Sequence, residues 1–316
     1  MRGCSHHFSI LVAFLFVAVG GEAVSGFRIC AYNVQKFNSQ KAANYKVLHT
    51  LTRIISRCDI TLLQEVTDTD GSAIKALLSS LNRYSGREAQ RYEGYHYRSE
   101  SSSSLGKSPS DMQKYVFIYR TETVNVVDRY QYQNQQQFVR APLAVHFHSN
   151  KTAVKNFILV GLHTDPSNAV KELDRLYDVF KEVLKKWKNK NVMFLGDFHA
   201  GCAYMTRHDK KNIRLFTNTS FSWLIGDKMD TTFTDETSCA YDRIVVYGKS
   251  FLKAIMPFSA RAFNYAQEFK LTRATVLAVS DHLPVEVRLK SSTLLLQATP
   301  LLLLVSAVIR SFLSSP

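Results

Sequence analysis

Short apolar runs that close on an acid, an amide or an imidazole recur along this chain. Phe27–Val34 (FRICAYNV) alternates in the period of a half-buried strand and carries Asn33 near its end. Asp59–Val66 (DITLLQEV) is continuous enough to be buried on both faces, and it ends in Glu65. Tyr115–Tyr119 and Thr123–Val127 predict two further strands. Ala141–Phe147 and Asn156–Leu162 predict a pair, the second running into His163. In Asn191–Cys202 (NVMFLGDFHAGC), Val192–Leu195 is a buried strand, Gly196 ends it, and Asp197 and His199 follow at its mouth. Tyr241–Tyr247 (YDRIVVY) carries Asp242 at its start. Val276–Leu289 contains Ser280-Asp281-His282 ahead of a closing strand.

Helical periodicity separates these runs. Val47, Leu48, Leu51, Ile54 and Ile55 share one face of a helix over Ala42–Arg57. Gly71–Asn82 gives a second amphipathic helix. Ala169–Trp187 gives the clearest, with Leu173, Leu176, Phe180, Val183 and Trp187 in its apolar stripe as core residues. Glu100–Ser110 is serine-rich and predicts a flexible loop, and an irregular polar stretch follows the central strand as far as Thr237. No repeat or linker divides residues 27–290. The mixture of strands and helices predicts one layered α+β or α/β domain.

Both ends carry a different pattern. Arg2, the apolar run Ile10–Val19 and Ala23-Val24-Ser25 predict a secretory signal peptide over residues 1–25. Leu294–Ile309 is largely apolar and follows the small residues Ser291 and Ser292. Residues 291–316 therefore predict a glycosylphosphatidylinositol-anchor signal, with a transmembrane anchor before Arg310 or a buried terminal helix as rivals. Removal of the signal leaves Cys30, Cys58, Cys202 and Cys239, an even number suited to an oxidising compartment, with three possible pairings. Asn150-Lys151-Thr152 and Asn218-Thr219-Ser220 are glycosylation sequons at Asn150 and Asn218, in keeping with secretion. The formal net charge of +14 belongs to the body of the chain. Residues 1–25 hold one base and one acid, and residues 292–316 hold only Arg310. Such a field attracts polyanions, nucleic acid and anionic membrane first among them.

The polar residues beside the strand runs are Asn33, Glu65, His163, Asp197, Asp242, Asp281 and His282. An acid at the end of a buried strand is costly unless it is paired or holds a metal. Carboxylates and imidazoles in this combination fit metal-assisted phosphoester hydrolysis. One acid holds a hard divalent ion, a His–Asp pair activates water, and a second His protonates the leaving oxygen. The sequence has no cysteine- or histidine-rich zinc pattern, no glycine-rich phosphate loop and no serine nucleophile elbow.

Together, QEV at Gln64–Val66, LHTDP at Leu162–Pro166, GDF at Gly196–Phe198, CAYDRIVV at Cys239–Val246 and SDHLPVEV at Ser280–Val287 resemble the deoxyribonuclease I-like family, within the endonuclease/exonuclease/phosphatase superfamily. The resemblance covers nearly all of Phe27–Lys290. It implies a four-layer sandwich of two packed sheets flanked by helices. It also implies endonucleolytic cleavage of DNA to 5′-phosphate products with Mg²⁺ and Ca²⁺. The chain is expected to be a monomer that follows the secretory route and ends anchored at the cell surface, or in an extracellular or endolysosomal space. Carried over by position, Glu65 is the metal ligand, with Asn33 and Asp281 assisting. His282 paired with Asp242 is the base, and His163 is the general acid. Asp197 orients the phosphate or metal, and Arg140 and Tyr241 contact phosphate. Cys202–Cys239 matches a family disulfide, which leaves Cys30 and Cys58 expected as free buried thiols.

Several positions depart from the family pattern. Gln113 stands where a glutamate supports the acid histidine, and Asp111, two residues earlier, is expected to share its strand face and to substitute. His199 replaces an asparagine that donates to phosphate. Thr67 replaces an arginine, and Asp111 falls where a groove-contacting tyrosine belongs. Gln131–Phe138 lacks the acid and cysteine of one calcium site and a small disulfide, while Asp230 keeps the carboxylate of the other. These departures leave two alternatives to a nuclease: a catalytically weakened surface protein that binds polyanions, or a phosphodiesterase for a lipid or nucleotide.

Overall fold

The computed structural model describes residues 26–88, 96–234 and 238–292. Signal segment 1–25 and tail residues 293–316 lie outside the described residues. Among the described residues, no helix is long and apolar enough to cross a membrane.

Two six-stranded mixed sheets form the centre. One contains β1 (Phe27–Phe37), β2 (Ile60–Val66), β3 (Tyr97–Ser101), β4 (Lys114–Arg120), β11 (Arg261–Ala262) and β12 (Val285–Leu289), in the order β11-β12-β1-β2-β4-β3. The other contains β5 (Asn125–Gln131), β6 (Leu143–His148), β7 (Asn156–Gly161), β8 (Val192–Asp197), β9 (Phe221–Trp223) and β10 (Asp242–Tyr247), in the order β5-β6-β7-β8-β10-β9. Period-two alternation on these strands feeds three separate cores. Ile29, Leu62, Phe117, Val145, Leu159, Leu195 and Val287 meet between the sheets. Val34, Leu63 and Val116 face outward under the helices Tyr45–Ile55 and Ser72–Glu88, against Leu51, Ile54 and Leu77. Val160, Phe194 and Val245 face outward on the second sheet, under Leu173, Leu176 and Phe180 of the helix Ala169–Trp187. Strands covered on both faces must be apolar throughout, which is why DITLLQEV and NVMFLGD read as continuous runs. The result is the expected four-layer α+β sandwich.

Some local expectations are corrected. The second helix begins at Ser72 and runs on to Glu88. Residues Arg273–Val279, ahead of the SDH segment, are helical. The stretch after the central strand holds two single-turn helices and β9. Glu100–Ser110 is not a free loop. Its start belongs to β3, Leu105 is buried and bridges Gln113, and the Ser102 amide donates to the Tyr115 carbonyl at 2.9 Å. One buried leucine and the backbone bonds around it outweigh a serine-rich composition.

Both pairs of cysteines are disulfides. Cys202–Cys239 matches the expectation, but Cys30–Cys58 corrects the expectation of free thiols. Cys30 lies on β1 and Cys58 just ahead of β2, which pairs with β1 in parallel, so the two Cα atoms come within 6.2 Å.

Strand polarity collects the polar ends. β1 and β2 are parallel, as are β7 and β8, while β10 is antiparallel to β8 with Asp242 opposite Asp197. β4 and β12 are antiparallel to β2 and β1. The C-terminal ends of β1, β2, β7 and β8 and the beginnings of β4, β10 and β12 therefore share one end of the sandwich.

Candidate active site

At that end the pairing of β1 with β2 shifts register between Asn33 and Phe37, and that of β2 with β4 shifts between Leu63 and Val66. Bulges of this kind re-aim side chains. Glu65 sits there in the left-handed region, at φ 57°. Its Oε1 accepts from Asn33 Nδ2 at 3.0 Å, and the same amide donates to Asp197 Oδ2 of the other sheet at 3.1 Å. Asn33 Oδ1 is occupied by the Gln35 amide at 3.0 Å. The sheets are tied again where the Asp197 amide donates to Gln64 Oε1 at 2.8 Å. Gly196 makes the approach possible. It has φ 138°, and a Cβ there would lie 2.1 Å from the Leu162 carbonyl oxygen.

Asp197 is the centre of the site. Its Oδ2 lies 3.6 Å from His163 Nε2 and 3.7 Å from His282 Nε2, and its Oδ1 lies 3.6 Å from His199 Nδ1. Burial alone would raise this carboxyl, but three imidazoles and the Asn33 amide hold it below the usual carboxylate range. His282 Nδ1 meets Asp242 Oδ2 at 2.7 Å. Burial opposes the charged imidazole, yet Asp242 and Asp197 outweigh it and raise His282 to about 10. His163 is buried with less compensation. Its Nδ1 meets Gln113 Oε1 at 3.1 Å and its Nε2 is 3.8 Å from Glu65 Oε1. Desolvation dominates there, and the charges of Arg140, His199 and His282 add to it, so His163 falls to about 3 despite Asp197. One imidazole thus keeps its proton and the other stays neutral, on either side of one carboxylate.

The remaining predicted residues surround this centre. His199, at φ 46°, stacks on His163 with ring centroids 5.5 Å apart and bonds Thr164 Oγ1 through Nδ1 at 3.0 Å. Tyr241 lies 5.7 Å from the His199 ring. Arg140 is buried. Its Nη2 pairs with Asp111 Oδ1 at 3.2 Å, while its Nε and Nη1 are buried without a hydrogen-bond partner. Asp111 corrects an expectation: it lies in the 3₁₀ turn Pro109–Asp111, before β4 begins, and faces Arg140 instead of replacing the missing glutamate. Gln113 alone holds the His163 ring from that side.

Among the described residues, His163/Asp197/His199 and Asp197/Asp242/His282 are sets whose ligand atoms lie close enough to hold a metal ion. Asp281 and Glu65 belong to neither set. Asp281 is half-buried next to His282, and its charge and that of Glu65 both act on Lys41. Asn150 is exposed and Asn218 half-buried, both at the far end of the sandwich.

The sequence reading passed over three supporting residues. Gln64 holds Asp197. The Tyr115 hydroxyl accepts from the His163 amide at 2.9 Å and donates to the Arg140 carbonyl at 3.0 Å. Tyr204, partly exposed, sets its ring edge-on to His199 at 4.8 Å. A glutamine inside a buried apolar run was the available signal for the first.

A sequence profile of the Endonuclease/Exonuclease/phosphatase family matches residues 30–282. The chain belongs to this family. It is 41 % identical over 270 residues to mouse deoxyribonuclease gamma, covering 84 % of this chain and 85 % of that protein. It is likewise 41 % identical over 287 residues to human deoxyribonuclease-1-like 1, covering 90 % and 91 %. An endonuclease/exonuclease/phosphatase structure from Bacteroides vulgatus superposes with TM-score 0.57 at 16 % identity, covering 84 % of this chain and 99 % of that one. A D. rerio TDP2 structure complexed with a single-strand DNA product superposes with TM-score 0.55 at 13 % identity, covering 84 % and 99 %. These two likenesses show the fold.

Proposed function

We propose that this chain is a deoxyribonuclease that hydrolyses internal phosphodiester bonds of DNA with divalent metal, leaving 5′-phosphates. The observation that carries the reading is Asp197 between two imidazoles, 3.6 and 3.7 Å away, at the mouth of two sheets. The relatives named deoxyribonuclease and the basic surface supply the substrate class.

Glu65 offers hard carboxylate oxygens in a partly open position, which suits Mg²⁺. Asn33 would hold that carboxylate in place, and Asp281 would add negative charge nearby. Mg²⁺ bound there supplies charge neutralisation at the scissile phosphate. The carboxylate of Asp230 is the candidate for Ca²⁺, although in this fold its Oδ1 accepts from the Thr232 amide at 3.0 Å and the Cys239 amide at 3.2 Å. Arg140, with two unpartnered guanidinium nitrogens, binds phosphate, and His199 and Tyr241 flank it. Asp197 orients the linkage. His282, held by Asp242, takes the proton from water, and His163, held by Gln113, gives one to the leaving oxygen. Before DNA binds, His282 holds the proton and neutral His163 lacks one. His282 must release a proton and His163 must gain one before these roles are played, so the pH profile of turnover reads both.

The protein is expected to act as a monomer, delivered by residues 1–25 to the secretory route, glycosylated at Asn150 and Asn218 and held at the cell surface by residues 291–316. Two disulfides support an oxidising compartment. The test is plasmid nicking by purified protein with Mg²⁺ and Ca²⁺, abolished by EDTA and by His282→Ala. Undiminished nicking by His282→Ala would sink the mechanism. One observation favours a second reading, a polyanion-binding protein with feeble turnover: a neutral Gln113 behind an imidazole already low in proton affinity. Strong cleavage by the wild type removes that reading. Feeble cleavage rescued by Gln113→Glu supports it.

A further inference from the structure

The end of the sandwich away from the catalytic mouth has its own chemistry. β12 runs from Val285 opposite Ala31 to Leu289 opposite Phe27, and β8 starts at Val192 opposite Tyr247. The connections 149–155, 188–191, 217–220, 248–260 and 290–292 all lie at that far end, and none contains an acidic residue. Lys151, Lys155, Lys188, Lys190, Lys249 and Lys253 are exposed there. The nearby acids are engaged: Asp59 lies 3.5 Å from Arg120, and Glu122 caps the His96 amide at 2.8 Å.

Among these cations stands an aromatic ring with no packing role. Phe258 is fully exposed (104 %), far beyond any other apolar residue at this end. It follows Pro257 in a tight turn closed by the Ser259 amide on the Met256 carbonyl at 3.2 Å, with φ 56°. A bulky residue rarely adopts that region. Leu252 is partly exposed on the adjoining short helix Lys249–Ala254. Backbone bonds fasten the turn to the chain's exit. The Met256 amide donates to the Arg288 carbonyl at 2.8 Å, Lys290 to Ala254 at 2.7 Å, and Ser292 to Lys151 at 3.1 Å. Ser292, the last of the described residues, therefore lies on this face.

We propose that this face docks on an anionic lipid bilayer, with Phe258 and Leu252 entering the interface and the surrounding lysines meeting lipid headgroups. Exposed aromatic and aliphatic side chains ringed by lysine are the combination that a headgroup region binds. A duplex backbone would use the cations and leave Phe258 without a purpose. The catalytic mouth, at the opposite end, then faces away from the membrane. The sequons Asn150 and Asn218 border the same face, so the experiment must use glycosylated protein.

The test is cosedimentation of glycosylated residues 26–292, which contain both sheets and all three cores, with phosphatidylcholine vesicles carrying or lacking phosphatidylserine. Binding that requires phosphatidylserine and fades with added salt is expected. Phe258→Asn, which tolerates the left-handed backbone, should weaken binding about ten-fold. Lys249→Gln/Lys253→Gln should weaken it several-fold. Both variants should nick plasmid as the parent does, which also shows that they fold. No phosphatidylserine-dependent binding by the glycosylated protein overturns the proposal, even if deglycosylated protein binds. So does equal binding by Phe258→Asn. Loss of plasmid affinity in the lysine variant, with no vesicle binding by the parent, would make this a nucleic-acid contact and overturn the proposal as well.

Discussion

The amide of Asn33 bonds two carboxylates on different sheets at once, Glu65 Oε1 at 3.0 Å and Asp197 Oδ2 at 3.1 Å. It is an uncharged donor hydrogen-bonded both to a candidate metal ligand and to the centre of the site. Asn33→Ala should leave two acids facing one another without a shared donor. We expect turnover to fall at least about ten-fold and stability to drop by about 1–3 kcal/mol. Steady-state nicking and urea denaturation of the same preparation check both.

Asp242 holds the His282 ring through a 2.7 Å bond and is itself fully buried. Asp242→Asn keeps the shape but removes the charge that raises the imidazole. Turnover should fall about 10²–10⁴-fold with little change in DNA affinity. A loss confined to affinity would assign Asp242 to binding.

The two imidazoles also shape stability against pH. His163 folded titrates near 3 and unfolded near its ordinary 6.5. Below 6.5 the unfolded chain binds the extra proton, so stability should fall as pH drops from 6.5 toward 3. His282 is raised to about 10, so its contribution is complete below 6.5 and should be lost as pH rises from there toward 10. Gln113→Glu places a carboxylate on His163 Nδ1 and should move the acid limb to lower pH. Melting temperature measured across pH for the two proteins tests this, and coincident acid limbs would refute it.

Cys30–Cys58 closes a separation of 28 residues at the end remote from the catalytic groups. Cys30→Ala/Cys58→Ala should cost about 3 kcal/mol in urea denaturation. Nicking well below the melting temperature should be retained.

Most of the architecture was legible because each strand is short, apolar and bounded by a polar residue, and strands covered on both faces leave no room for anything else. Glu65, Asp197, Asp242 and His282 were legible for the same reason, as polar groups where burial is expensive. What sequence could not show were relations across the sheets. The Cys30–Cys58 bond depends on the parallel pairing of β1 with β2, which no spacing of two cysteines announces. Asp111 was misread because a one-turn 3₁₀ segment displaces it from the strand period of Gln113. Tyr115 was read as a strand residue, yet its hydroxyl reaches across to the backbone of His163 and Arg140.

His282 arrives in the last segment of the domain, immediately before β12 closes against β1. With His282 as the proposed base, a chain emerging from its amino end has no complete cutting apparatus until almost all of it has been made and the first and last strands have met. Under the proposed mechanism, premature, truncated or half-assembled copies are disarmed by their own connectivity, and the cell that makes the protein carries no blade until the closing strand is in place.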